Sequence, residues 1–172
     1  MSDFKINLGE ITNGKNLFSF EIKDSFFETY TFSDVKYANI TATALLEKNS
    51  KKLTLNLSID GQINKLLCDI CAEELSIDIS GETKVIIKKT DEDFTSTDEI
   101  FYININKNTI DLKQLIFELI VLSVPIKKQH LLDNKRNSTC NKEMVDLVNK
   151  YTAQKQKRSD PRWDALKDLN IK

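Results

Sequence analysis

Leu53, Leu55, Leu57 and Ile59 alternate with Thr54, Asn56 and Ser58, a strict period of two over seven residues. A helix would scatter those four aliphatic side chains around its circumference, whereas an extended strand puts them all on one face. The chain must therefore build a sheet with one apolar side. Other stretches repeat the signal. Phe18, Phe20 and Ile22 alternate, residues 35–47 carry Val35, Tyr37 and Ile40 ahead of Leu45-Leu46, and Leu75, Ile77 and Ile79 alternate again. Val85-Ile86-Ile87 continues past Gly81, and Phe101, Ile103 and Ile105 close the series. Asn49-Ser50 is a turn signal, and Asp60-Gly61 reads as a turn or bulge before the pattern resumes from Ile63 to Leu67. Single glycines inside long strands predict bends, so the expectation is a curved antiparallel sheet closed in part into a barrel. Asp24-Ser25 opens a segment with Phe26, Phe27, Tyr30 and Phe32, read as core rather than as a binding site.

The second half is helical. From Asp111, the residues Leu112, Leu115, Ile116, Leu119, Ile120 and Leu122 make a segment apolar on much of its circumference, ending before Pro125; it is the predicted cover of the sheet. Residues 126–140 are a polar, basic loop. Across 141–158, Met144, Leu147, Val148 and Tyr151 recur at i, i+3, i+4 and i+7, with Lys150, Lys155, Lys157 and Arg158 at the C-terminal end, where the helix dipole favours cations. Asp160-Pro161 starts another short helix, with Trp163, Leu166 and Leu169 on one side. So short a helix is marginal alone. It packs back on its own domain, the usual use of tryptophan, or docks on a partner. The predicted class is α+β, one domain over residues 1–172, mainly β to residue 105 and mainly helical with a basic arm from 106. Asp91-Glu92-Asp93 and Asp98-Glu99 bracket an acidic loop, read as mobile.

At 40% hydrophobic and 30% charged residues, the profile is that of a globular chain with a large solvated surface. No apolar run reaches the length of a bilayer-spanning helix, and charges of both signs through the first thirty residues argue against a signal peptide, so the expected location is the cytoplasm. The net charge of −1 hides a split. Residues 125–172 hold 12 Lys/Arg and 6 Asp/Glu, or +6, and the rest hold 13 and 20, or −7. A basic end on an acidic body points to a polyanion or an acidic partner, solvated helix faces being the alternative. Lys127, Lys128, Lys135, Arg136, Lys155, Lys157, Arg158 and Arg162 are the candidate contacts to phosphate or partner. Interleaved aromatics are few (Tyr151 and Trp163), so base stacking has little support.

With four glycines there is no phosphate-binding loop or dinucleotide fingerprint, and one histidine leaves little room for a catalytic triad. No enzyme activity and no small-molecule substrate are expected. Cys68-Asp69-Ile70-Cys71 is the sharpest local constellation. Two thiolates at this spacing can bind one zinc ion, and the remaining soft ligands are His130 and Cys140, giving a Cys₃His site that would pin the basic loop to the sheet. The nine residues between His130 and Cys140 match no standard zinc half-site, so reduced thiols at a strand end are the alternative. Disulfides are not expected in a reducing compartment. A redox pair is a third reading, disfavoured because the motif lies between two β-patterned stretches beside Asp69, Glu73 and Glu74, whose charge raises a thiol pKa.

Cys68-Asp69-Ile70-Cys71 and Asp160-Pro161-Arg162-Trp163-Asp164-Ala165-Leu166 together resemble the motifs of the bacterial YceD-type proteins, linked to accumulation of large-subunit ribosomal RNA. The order of elements fits too: strands to about residue 105, an apolar helix ending in Val124-Pro125-Ile126, then a cysteine-bearing polar segment. The resemblance implies a non-enzymatic ribosome biogenesis factor for 23S ribosomal RNA accumulation and large-subunit assembly. Its partners would be large-subunit ribosomal RNA, a ribosomal protein or a pre-ribosomal particle, met by the basic third 127–172. Many relatives carry a second Cys-x-x-Cys after the apolar helix. Here His130 and Cys140 stand in that segment, as substitute ligands or as the remnant of a lost site. The competing expectation is a zinc-stabilised protein–protein adaptor without RNA contact.

Overall fold

The alternation at 53–59 is the middle of a much longer strand. In the computed structural model, which describes residues 4–49, 52–91, 97, 99–104, 106–130 and 139–152, seven strands and three helices follow one another. They are β1 (Lys5–Asn7), β2 (Gly14–Ile22), α1 (Asp24–Phe27), β3 (Tyr37–Asn49), β4 (Lys52–Leu67), β5 (Glu74–Thr90), β6 (Ile100–Asn104), β7 (Thr109–Asp111), α2 (Lys113–Ser123) and α3 (Lys142–Tyr151). Strands β2-β3-β4-β5-β6 form one sheet in sequence order, and β1 pairs with β7 in a separate antiparallel ribbon. The expected mixed α+β architecture is present.

The two internal glycines have different causes from the one their sequence suggests. Asp60-Gly61 is neither turn nor break; β4 runs straight through it, paired with β3 and β5 on either side. A Cβ on Gly61 would overlap the carbonyl of Asn39 and lie 2.6 Å from Ile40 Cα, at a φ of +154°. Glycine is required because the backbone of β3 passes so close. At Gly81, in the middle of β5, a Cβ would strike the Ser123 hydroxyl and sit 3.4 Å from Leu119 Cδ1, both on α2. The missing side chain is what lets the covering helix approach the sheet.

The sheet buries one face. Ile40, Ala42, Ala44 and Leu46 of β3 lie opposite or beside Leu55, Leu57 and Ile59 of β4, with Val85 and Ile87 on β5. The other face carries exposed Asn39, Thr41, Ser58, Asp60, Gln62, Asp78, Ser80 and Glu82. Helix α2 turns Ile116, Phe117, Leu119 and Ile120 inward, while Leu122, the last of the predicted apolar run, stays exposed. Its first residue, Lys113, donates its N–H to the Asp111 carboxylate at 2.9 Å. The aromatic segment belongs to this core: Tyr30 stacks on Phe117 with ring centroids 3.7 Å apart, and Phe26 meets Phe4 edge-on. Phe32 alone of that group stays exposed.

Two expectations are corrected. The sheet is open: β2 and β6 are opposite edges and do not pair, so there is no partly closed barrel. Bends do not close a sheet unless its edges meet, and here α2 and the aromatic cluster cover the apolar face instead. Nor is the sheet wholly antiparallel, because β6 runs parallel to β5, from Ile86↔Ile100 to Thr90↔Asn104. β6 starts beside Ile86 and ends beside Thr90, so it runs in the same direction as β5. Most of the acidic stretch between the two (92–96 and 98) lies outside the described residues, as does Ile105.

The glycine contacts give a graded expectation for urea unfolding. Gly61→Ala must displace backbone and costs about 3 kcal/mol or more. Gly81→Ala meets only the end of the Ser123 side chain, whose hydroxyl donates to the Leu119 carbonyl at 2.7 Å. It costs about 1 kcal/mol, the worth of that hydrogen bond. In a Ser123→Ala background the same Gly81→Ala costs less, a non-additivity that additive behaviour of the two would refute.

Candidate metal centre

Strict alternation along β4 would aim Ile63, then Lys65, Leu67 and Asp69, at the core. That does not happen. The pairing of β4 with β5 slips between Ile63 and Leu66, and Lys65 adopts a left-handed φ of 55°. A bulge of this kind reverses the phase of every later side chain. Leu66 and Cys68 therefore point inward and are buried, while Leu67 is exposed.

The Cys-x-x-Cys itself is a tight turn at the end of β4. The Cys68 carbonyl accepts the Ala72 N–H at 2.9 Å, the Cys68 N–H donates to the Glu73 carbonyl at 2.9 Å, and the Ile70 N–H points at Cys68 Sγ, 3.4 Å away. Ala72, at φ 56°, turns the chain back into β5. Both cysteines of the motif are buried, as is Cys140, and none is in a disulfide.

Asp69 fastens this turn to the segment after α2. Its N–H donates to the Lys128 carbonyl at 2.7 Å, and its carboxylate accepts the Lys128 N–H, also at 2.7 Å. Two residues later His130 arrives beside the thiols. On the third side Asn141 accepts the Glu143 N–H at 3.0 Å, capping α3, and its Nδ2 donates to Glu73 at 3.2 Å, which brings Cys140 in. The β4–β5 turn, the loop after α2 and the start of α3 thus converge on one point.

At that point the ligand atoms of Cys68, Cys71, His130 and Cys140 all lie within 4.8 Å of one another. Tetrahedral zinc, with Zn–S of about 2.3 Å and Zn–N of about 2.0–2.1 Å, sets its ligands about 3.8 Å apart for S···S and about 3.6 Å for S···N. The cluster has Cys68 Sγ 3.7 Å from Cys140 Sγ, and His130 Nδ1 3.5 Å from Cys71 Sγ and 3.6 Å from Cys140 Sγ. His130 Nε2 lies 3.3 Å from the Glu74 carbonyl. A proton on that nitrogen leaves the Nδ1 lone pair facing the sulfurs, the tautomer a metal ligand needs. These residues fit a four-coordinate thiophilic ion.

The electrostatics of the cluster are those of crowded thiols. Burial pushes the Cys68 thiol up, but hydrogen bonds from the backbone of Cys71, Ile70 and His130 outweigh it and bring the pKa down to about 6. Burial pushes Cys71 up, and its neighbours Cys68 and Cys140 add to this against backbone bonds from Glu73 and Asn141. The thiols of Cys140 and Cys68 raise His130 by hydrogen bonding, against its burial.

Of the basic residues singled out in the sequence, Lys127 is exposed and Lys128 half-buried, its backbone spent on Asp69. Lys135, Arg136, Lys155, Lys157, Arg158 and the segment Asp160, Pro161, Arg162, Trp163 and Leu166 lie outside the described residues. Sequence reasoning missed Asp69 and Asn141. Asn141 was legible as an N-cap residue directly before an amphipathic stripe. Asp69 carried no signal, since its partner is a backbone amide far along the chain.

Among the described residues, no helix is long and apolar enough to cross a membrane. No curated protein and no solved structure matches the chain. A family profile does: the one described as large ribosomal RNA subunit accumulation protein YceD matches residues 55–170. The matched span takes in the bulged half of β4, all four clustered ligands and the Asp160-Pro161-Arg162-Trp163 segment. On that match, and with the turn, the cluster and the order of elements agreeing, the chain belongs to the YceD family.

Proposed function

We propose that this chain promotes accumulation of large-subunit ribosomal RNA as a non-enzymatic assembly factor, stabilised by one structural zinc ion held by Cys68, Cys71, His130 and Cys140. The observation that carries the role is the YceD match over residues 55–170. The observation that carries the metal is the agreement of the sulfur and nitrogen separations with tetrahedral edges. Four protein ligands leave no open position, which is the arrangement of structural rather than catalytic zinc. Bound there, the ion neutralises the crowded thiolates and ties together three segments. The same convergence of three sulfurs on one histidine speaks against a thiol oxidoreductase, which needs an accessible pair.

The contact surface is the basic third, 127–172, in which +6 of charge is concentrated. A protein-held contact without RNA has an observation of its own: α2 and the residues after it leave Leu122 and Ile126 in solvent. Co-sedimentation with large-subunit particles, with and without nuclease, separates the two. Nuclease-sensitive association supports RNA contact, and nuclease-resistant association assigns the adaptor role. With RNA as ligand, Lys155→Glu, Lys157→Glu and Arg158→Glu together flatten the slope of log affinity against log salt by about 2 to 3. Wild-type binding insensitive to salt refutes the electrostatic contact.

Zinc analysis of untagged protein is expected to find one ion per chain, lost in Cys68→Ser and in Cys140→Ser. Chelation lowers the midpoint of thermal unfolding. Where free zinc exceeds its dissociation constant a thousandfold, the lost stability is about 4 kcal/mol. An unchanged melting curve after complete removal of the metal would show that the ion is not structural. Acid acts in the same direction. Cys71, held above the ordinary thiol range, must release its proton to ligate, and His130, also raised, must be neutral. Zinc affinity therefore falls as pH drops below neutrality, and binding releases protons into a weak buffer.

A further inference from the structure

Strand β2 is an edge of the sheet, and its outer side is open. Among the described residues it pairs with β3 alone, along nine residues from Gly14↔Lys48 to Ile22↔Ile40. Of its backbone groups only the Gly14 carbonyl has a described bond outside that ladder, from the Asn16 side chain at 3.3 Å. Every second residue of such a strand aims its N–H and C=O away from its neighbour, so about 30 Å of donors and acceptors faces outward. The opposite edge, β6, is five residues long, and its Tyr102 is already engaged.

A long edge is usually blunted by a charge, a proline or a bulge near its middle. β2 has none of these. Asn16, Leu17, Phe18, Ser19 and Phe20 are uncharged, and the register with β3 is unbroken. Leu17 is 68% exposed on the polar face, while Phe18 and Phe20 on the apolar face are only half-buried. The charges stand toward the two ends, Lys15 and Glu21, on the same face as Leu17.

That placement selects a partner. A twofold axis perpendicular to the sheet keeps each face on its own side. Two copies of β2 can then pair antiparallel only with residues of equal parity opposite one another. The register centred on Phe18 sets Lys15 of each copy against Glu21 of the other, at both ends of the strand. It sets Phe18 against its own copy, and Leu17 against Ser19, with the two Leu17 side chains as diagonal neighbours. A shift of two residues sets Lys15 against Ser19, or Leu17 against Glu21, and loses both charge pairs. Asn16 falls opposite Phe20. Its amide is already bonded to the Thr12 carbonyl at 2.9 Å, so it brings no unpaired group to the joint.

We propose that a second copy of this chain adds to the β2 edge, β2 against β2 antiparallel about a twofold at Phe18, joining two five-stranded sheets into one. The main-chain ladder supplies the adhesion. The Lys15–Glu21 pairs supply the register, since ion pairs in solvent add little affinity but discriminate between alignments. This joint goes beyond the ribosomal reading and requires neither RNA nor metal.

Sedimentation equilibrium of the full chain is expected to show a concentration-dependent dimer. Lys15→Glu alone and Glu21→Lys alone each put like charges opposite one another twice per dimer and weaken it about tenfold. Lys15→Glu with Glu21→Lys restores it. Inside one chain the same exchange still breaks Lys15 from Glu47 and Glu21 from Lys23, so a purely structural effect of the single changes would add instead. Leu17→Lys, at an exposed position, is the independent variant; it also weakens the dimer, with the sheet signal in circular dichroism unchanged. Amide exchange in β2 is expected to slow as concentration rises, with α2 and α3 unaffected. A chain that stays monomeric across its soluble range overturns the proposal and leaves the edge to an extended segment of another protein. A dimer indifferent to the single charge changes, or not restored by the exchange, overturns it as well. So does protection that rises on α2 or α3, whose exposed Leu122 and Tyr151 would then hold the joint.

Discussion

The candidate centre depends on a change of phase at Lys65. Had β4 kept its alternation past Ile63, a lysine and an aspartate would face the core and Cys68 would face solvent. The slip at Lys65 costs a left-handed backbone at a residue with a Cβ, about 1 kcal/mol or more. Part of that cost is offset locally, because the Lys65 ammonium lies over the Tyr37 ring, 4.2 Å from its centre. What the slip achieves is an inward-facing Leu66 and Cys68 at the very end of the strand, where the chain must turn. The second left-handed residue, Ala72, closes that turn into β5. Two strained residues therefore bracket the Cys-x-x-Cys, and their cost is repaid only if the buried sulfurs find partners.

Those partners arrive by polar links as well as by packing on the core. Asp69 exchanges two hydrogen bonds with the Lys128 backbone, and Glu73 reaches both Cys71 Sγ, at 3.9 Å, and Asn141. The domain's apolar core is concentrated between α2 and the sheet, where Gly81 lets Ser123 and Leu119 approach. At the cysteine end the chain relies on a point of convergence. There Cys68, Cys71, His130 and Cys140 meet within 4.8 Å of one another, in very little volume.

Much of the sheet was legible because period two is a local property. The runs at 53–59, 75–79 and 101–103 fall in β4, β5 and β6, and the apolar run from Leu112 falls on α2. Strand direction was not legible, since a parallel and an antiparallel strand have the same alternation, and so β6 could not be oriented. Glycine chemistry misled in a specific way: Gly61 and Gly81 were read as features of their own strands, whereas each answers to a neighbour, the backbone of β3 and the side chain of Ser123. The β1–β7 ribbon is too short to leave a pattern. In the candidate site all four ligand types were identifiable, yet the His130–Cys140 spacing fits no half-site. The reason is structural, because each of the two is delivered by its own anchor, Lys128 on Asp69 and Asn141 on Glu73.

The division of charge acquires a geometric meaning from this arrangement. The exposed sheet face presents Asp60, Asp78 and Glu82 among hydroxyls and amides, with Lys84 one pair along from Glu82. Residues 125–172, at +6, would be drawn toward that −7 body across the roughly 8 Å over which charges act at physiological salt. A basic segment held only by charge would lie against the sheet and would have to be displaced by any polyanion. Cys140 and Asn141 hold the start of that stretch by other means. They fix the first turn of α3 against the β4–β5 turn through a buried sulfur and a capped amide, interactions that salt screens far less than exposed ion pairs. The cluster and the Asn141–Glu73 bond thus fix where Cys140 and the start of α3 stand against the β4–β5 turn.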